Sequence, residues 1–147
     1  MKKRPKSNFT PSDEKKPRRS PQNDPATIVD IKPCWRFGML DLKGCWGWEK
    51  IEKRDQLLEI VEKLKNFETM TWGEIDSSNK NHLIPCDKIT REARDRLAQL
   101  KLDDMEDIYS IRLKSRERIW GKREIEAFYI IWWDPDHTVY PVSPKNT

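Results

Sequence analysis

Residues Ile108–Tyr140 read IYSIRLKSRERIWGKREIEAFYIIWWDPDHTVY, and the reading of this stretch decides the fold. Three apolar runs follow one another, separated by polar, turn-like breaks at Lys114–Glu117 and Arg123–Glu126. Successive side chains of a strand point to opposite faces, so Tyr109, Ile111 and Leu113 share one face and Ser110, Arg112 and Lys114 the other. This alternation predicts an antiparallel meander with one face buried and one exposed. The exposed face carries arginines beside aromatics, and the third run ends in Asp134, Pro135 and His137. Cations, an aromatic and an imidazole on one sheet suit phosphate and bases.

Working outward, Trp35, Phe37 and Met39 alternate with Arg36, Gly38 and Leu40 and predict a first strand. Gly44 and Gly47 then punctuate a turn containing Trp46 and Trp48. From about Lys50 the period becomes helical: Leu57, Leu58, Val61, Leu64 and Phe67 form one amphipathic stripe. Thr71–Asn81 reads as a short helix followed by a loop. Asp87 is the expected cap of a second long helix with Ile89, Ala93, Leu97 and Leu100 at helical spacing. Lys88, Arg91, Arg94 and Arg96 are expected on its outer face. The order is strand, two helices, then a three- to four-stranded antiparallel meander, an α+β arrangement. Helices grouped before such a sheet predict that both pack on one of its faces. Leu57, Val61, Leu64, Ile89, Ala93 and Leu97 should therefore meet Ile111, Leu113 and Phe128–Trp133.

The 147-residue length suits a single α+β domain over residues 31–147, preceded by a tail. Residues 1–30 hold eight Lys or Arg against four acids, which accounts for the whole net charge of +4, and five of the ten prolines. With almost no large apolar residue this tail cannot offset the entropy of ordering, and it is expected to be disordered. Such a tail can hold nucleic acid loosely through counterion release, or merely aid solubility. No apolar run approaches the ~18 residues of a membrane span, and no apolar stretch follows the basic start as in a secretory signal. The expectation is a cytoplasmic protein. Cys34, Cys45 and Cys86 are few, odd in number and without CxxC spacing, so neither a disulfide framework nor a zinc site is expected. Gly-rich phosphate loops are absent from the sequence, and no cofactor is predicted.

Two segments carry a family resemblance. Tyr109–Trp120 (YSIRLKSRERIW) has a basic strand, a short polar turn, and an Arg followed by aliphatic and aromatic residues. Phe128–Trp133, leading to His137 and Tyr140, matches a last core strand with a functional terminus. Together with the order of elements, these resemble the RelE/ParE superfamily of bacterial toxins, in particular RelE- and YoeB-like ribosome-dependent mRNA endonucleases. The resemblance covers roughly residues 33–142 as topology and about 30 residues as motif. It implies a curved sheet whose concave face cleaves mRNA on the ribosome, and a cognate antitoxin as protein partner. The chain departs from the family in its basic tail, its Trp-rich segment and its WWDPDH sequence, and no residue matches the Glu base of the YoeB-like branch. FETMTWGEI, WGKRE and WWDPDH also resemble a bacterial group of their own.

Within this reading Arg112 and Arg118 are the candidates to stabilise charge on a pentacoordinate phosphate through forked hydrogen bonds. Their plainer role is as exposed strand residues paired with Glu117 or Glu124, contacts that contribute only ~0–1 kcal/mol. His137 is the candidate general acid at the departing 5′-oxygen, and Tyr140 stacks on a base or orients the phosphate. The plainer reading makes Asp134-Pro135-Asp136-His137 a turn in which Asp134 bonds backbone amides and His137 starts a final strand. Lys114, Arg116, Trp120 and Lys122 are the candidates to hold RNA around this centre. Trp120, Trp132 and Trp133 can form a stacking platform or the core; adjacent Trp132 and Trp133 must face opposite ways. Trp35, Trp46, Trp48 and Trp72 are expected in the core or at its edge. Asn81-His82 reads as a structural polar pair. Three functions are compatible with these residues: a metal-independent, ribosome-dependent endoribonuclease toxin; a non-catalytic module binding RNA or a protein; and a ParE-like gyrase inhibitor.

Overall fold

The computed structural model describes residues 29–141. Residues 1–28, nearly all of the segment read as a disordered tail, lie outside the described residues, as do 142–147. Strand β1 spans Cys34–Arg36, helix α1 Arg54–Phe67, helix α2 Trp72–Ser77, strand β2 His82–Pro85 and helix α3 Arg91–Gln99. Strands β3 (Asp107–Lys114), β4 (Glu117–Glu124) and β5 (Ala127–Asp134) complete the chain as the expected antiparallel meander. The sheet has five strands in the order β1-β5-β4-β3-β2, with β1 parallel to β5 and β2 antiparallel to β3.

Local chemistry explains the helices. The Thr71 side chain accepts from the Glu74 N–H while the Glu74 side chain accepts from the Thr71 N–H, a reciprocal cap that starts α2. Helix α3 is capped by Thr90, whose hydroxyl accepts from the Ala93 N–H at 3.2 Å, and not by Asp87, which lies in a preceding 3-10 turn. Lys101 closes α3 with a left-handed φ of 63°, and the N–H groups of Lys101 and Leu102 donate to Ala98 and Leu97 carbonyls. That pattern satisfies the last orphan carbonyls of the helix.

The two long helices do not share a face of the sheet. Ile60 and Leu64 of α1, with Trp72 and Ile75 of α2, pack against Tyr109, Ile111, Leu113, Ile119, Phe128, Ile130 and Trp133. Ala93 and Leu97 of α3, with Ile89, Trp46 and Val139, pack against Ile108, Trp120, Ile131 and Trp132 on the opposite face. The physical reason is that the meander is apolar on both sides, so each side needs cover. The stripe of α1 is also rotated from expectation. Ile60 and Leu64 point inward, whereas Leu57, Leu58 and Val61 are 43%, 51% and 52% exposed.

A bulge sets which tryptophan goes where. Trp120 pairs with Trp132 but Gly121 pairs with Ile130, which leaves Ile131 as an extra residue in β5. Ile131 and Trp132 therefore point to the α3 side and Trp133 to the α1 side, so the adjacent tryptophans do face opposite ways. The three indoles of the meander each end on a carboxylate: Trp120 on Asp134 at 3.0 Å, Trp132 on Asp41 at 2.9 Å and Trp133 on Glu117 at 2.7 Å, whereas the Trp48 indole nitrogen is buried without a partner. Burial of the large ring is favourable only when its N–H is satisfied, and these carboxylates supply that partner.

Candidate functional site

Helix α3 covers only part of its face of the sheet. Beyond it lies a groove of about 1110 Å³ lined by His82, Ser110, Arg112, Arg116, Arg118 and His137, with Tyr140 at its rim. Its floor comes from three strands in register: His82 of β2 pairs with Ser110 of β3, which pairs with Trp120 of β4. One step along the same face, Arg112 and Arg118 are direct cross-strand partners.

Like charges placed opposite each other destabilise a sheet, so the surroundings of this arginine pair matter. Arg112 donates through Nε to the Ser115 carbonyl at 3.1 Å, and Arg118 donates through Nη1 to the Ser115 and Glu117 carbonyls at 2.7 and 3.2 Å. The Nε of Arg118 is buried without any hydrogen-bond partner. Among the described residues, neither guanidinium forms an ion pair. The plainer reading, pairing with Glu117 or Glu124, does not occur: Glu117 accepts from Trp133 and Glu124 lies beside Lys122. Burial, and then repulsion from Arg112, push Arg118 below the usual arginine range against the pull of Asp134. The groove thus holds two facing guanidiniums that make no ion pair among the described residues, with Asp134 the carboxylate that acts on Arg118 and Asp136 in the lining, and one buried N–H left unbonded.

The turn after β5 places the histidine. Asp134, fully buried, accepts from the Thr138 N–H at 2.9 Å and the Val139 N–H at 3.0 Å, as the turn reading requires. The same carboxylate accepts from the Thr138 hydroxyl, which in turn accepts from Trp46 at 2.8 Å. Residues 137–140 form no strand, a departure from expectation, because Asp134 occupies the amides that a ladder would use. His137 sits in this turn with φ of 60°, a left-handed conformation uncommon for residues other than glycine, although histidine is enriched among the exceptions. Its ring lies edge-on to Trp120 with centroids 6.4 Å apart. Burial, followed by the Arg118 charge, lowers the His137 imidazole below its ordinary value, with Asp134 opposing and His82 adding to the lowering.

The groove therefore gathers Arg112, Arg118, His137 and Tyr140 together with Arg116 and Trp120. Lys114 is elsewhere. Register in β3 shifts between Arg112 and Lys114, and this irregularity turns Lys114 to α1, where it donates to Glu59 at 2.9 Å. Simple alternation had put it beside Arg112. Lys122 lies 3.7 Å from Glu124 and lines a neighbouring cleft with Asp107 and Arg123. Trp120 lines the floor but is 1% exposed, too little for a base to stack upon. Trp132 and Trp133 are buried as well, so the tryptophans are packing and not a platform.

His82 is the groove residue that the sequence reading missed. Its neighbour Asn81 is structural: its side chain donates to the Ile75 carbonyl at 3.1 Å and accepts from the Arg112 N–H at 2.8 Å, fixing α2 to β3. His82 instead points into the groove. The signal available was the alternation of His82 and Ile84 with Leu83 in the four-residue strand HLIP, too short to stand out beside a proline.

Among the described residues no three His, Cys, Asp or Glu side chains converge as metal ligands would. No helix among them is long and apolar enough to cross a membrane. The three cysteines are free thiols, and burial followed by Asp107 and Asp87 raises Cys86 to about 11, which leaves it an unreactive thiol at neutral pH. Comparison of the chain with protein-family models, with curated proteins and with solved structures found no match in any of the three.

Proposed function

We propose that this groove binds an RNA phosphodiester and cleaves it, making the protein a toxin-like endoribonuclease. The observation that carries the reading is the Arg112–Arg118 pair, two adjacent guanidiniums without a carboxylate partner, one of them with a buried and unbonded Nε. Two like charges are held together at a cost in stability, and a bound phosphate would relieve it by accepting forked hydrogen bonds from both. Charge that builds on phosphorus during attack by the 2′-hydroxyl would be stabilised most, which is the condition for catalysis over mere binding. An imidazole at the same groove supplies proton transfer near neutral pH.

The resemblance of Tyr109–Trp120 to RelE- and YoeB-like toxins adds the class of substrate: mRNA on the ribosome, with a cognate antitoxin as the controlling partner. Helices on both faces of the sheet set this chain apart from the single-sided arrangement expected at first, so the ribosome and the antitoxin rest on the motif and not on the fold. The test is incubation of the purified full chain with ribosome-bound mRNA in Mg²⁺ buffer and with free mRNA in EDTA, followed by mapping of the ends. Cleavage by the natural chain, and its loss in Arg118→Ala at an unchanged melting temperature, is the expected result. Intact mRNA under all these conditions overturns the nuclease; retained RNA binding would then leave the non-catalytic module in its place.

A further inference from the structure

We infer that His82 and His137 act as a proton-transfer pair across the groove, His137 as the base on a ribose 2′-hydroxyl and His82 as the acid at the departing 5′-oxygen. This rests on the nuclease reading above, adds His82 to it, and moves His137 from the expected general acid to the base.

The geometry is that of a bracketed phosphate. His82 reaches the groove from β2, and His137 reaches it from the turn above Trp120 on β4. Two interstrand steps separate the Cα atoms of His82 and Trp120, about 10 Å at the usual spacing. Arg112 and Arg118 belong to the two strands between β2 and β5, two residues along from Ser110 and Trp120, about 7 Å at the usual rise per residue. An extended arginine side chain spans that distance, so a phosphate held by both arginines can sit between the two imidazoles that line the same groove. In-line displacement demands such an arrangement, because the nucleophile enters and the leaving group departs on opposite sides of phosphorus.

The steps balance without a co-reactant. The His137 ring nitrogen takes the proton of the 2′-hydroxyl as the 2′-oxygen bonds to phosphorus. The bond from phosphorus to the 5′-oxygen breaks, and protonated His82 gives its proton to that oxygen. The products are a 2′,3′-cyclic phosphate and a 5′-hydroxyl end, and solvent restores both imidazoles. The assignment of roles follows the surroundings. His137 is half-buried beside Arg118, an environment that favours its neutral, proton-accepting form. His82 is exposed on its edge strand, where a proton spent on the leaving group is replaced from water.

The test uses mRNA with a single bridging 5′-sulfur at the cleaved bond, since a thiolate departs without needing a proton. His82→Gln should slow cleavage of ordinary mRNA by ~10²–10⁴-fold, the usual worth of a positioned acid, yet cut the sulfur-bridged substrate at close to the natural rate. His137→Asn, chosen because asparagine tolerates the left-handed backbone, should slow cleavage of both substrates alike. Melting curves of both variants should overlay that of the natural chain. A His82→Gln variant that cuts ordinary mRNA at full rate overturns the pair while leaving the nuclease intact. Sulfur rescue of His137→Asn in place of His82→Gln overturns the roles, and a 5′-phosphate product end overturns the chemistry. A natural chain that cuts no RNA at all removes the nuclease reading itself.

Discussion

Arg96 and Arg118 both reach the α3 side of the sheet, and their surroundings are opposite. Arg96 donates from Nε and Nη2 to Asp41 at 2.9 and 2.7 Å, and Asp41 also accepts from Trp132 and the Gly44 N–H. Burial alone would raise the Asp41 carboxyl, but these donors outweigh it and hold it below the usual carboxylate range. Every strong group there is satisfied, and the loop after β1, helix α3 and strand β5 are tied at one point. Arg118 has backbone carbonyls, a second arginine opposite and a buried N–H with nothing to bond. A saturated ion pair makes architecture. A part-buried cation left without one carries local strain that the rest of the fold supports, and on the proposed function a bound phosphate relieves it.

The sharpest way to break this contrast is Asp41→Ala. Removing buried Asp41 leaves the Trp132 and Gly44 N–H groups and the part-exposed Arg96 without their acceptor, and the cost should be ~2–4 kcal/mol in urea unfolding; a cost near zero would mean that Asp41 is not the tie described. The same carboxylate gives a pH signature. Its folded value lies below the ordinary 3.8, so its contribution is fully present above about pH 4 and is lost as pH falls through the folded value. Asp41→Asn should flatten the acid limb of the stability curve relative to the natural chain.

Arg118→Met should behave in the opposite way. It removes a charge that repels Arg112, and stability should change by less than ~1 kcal/mol. Phosphate at ten times its dissociation constant should raise the stability of the natural chain by ~1.4 kcal/mol and leave Arg118→Met with only the general salt effect. Equal stabilisation of both proteins would show that the groove has no phosphate site. The smallest effect should come from Lys114→Ala. That side chain sits in an exposed pair with Glu59, away from the groove, so both the unfolding midpoint and mRNA cleavage should match the natural chain. Lost cleavage would put Lys114 back among the RNA-binding residues.

Much of the candidate site was legible because it lies on regular strands. Arg112 and Arg118 flank a two-residue hairpin, so counting by twos along regular strands lets both occupy one face, and the Asp134 turn was readable from its Asp-Pro start. Lys114 was misplaced because alternation holds only as long as the ladder is regular. The irregularity after Arg112 breaks it within two residues. His82 was missed because a four-residue edge strand takes its identity from the neighbour it pairs with, and that neighbour is 28 positions away in the sequence.

The sequence by itself determined the meander, the existence of helical segments and the turn that begins at Asp134. These depend on periodicity and capping, which act over a few neighbouring residues. Only the tertiary structure decided that α1 and α3 cover opposite faces, that Ile60 and not Leu57 turns inward, and that Asp41 takes Arg96 while Arg118 takes no carboxylate. Those outcomes depend on which apolar surfaces remain uncovered and which charges meet across 55 residues of chain, and local pattern carries no record of either.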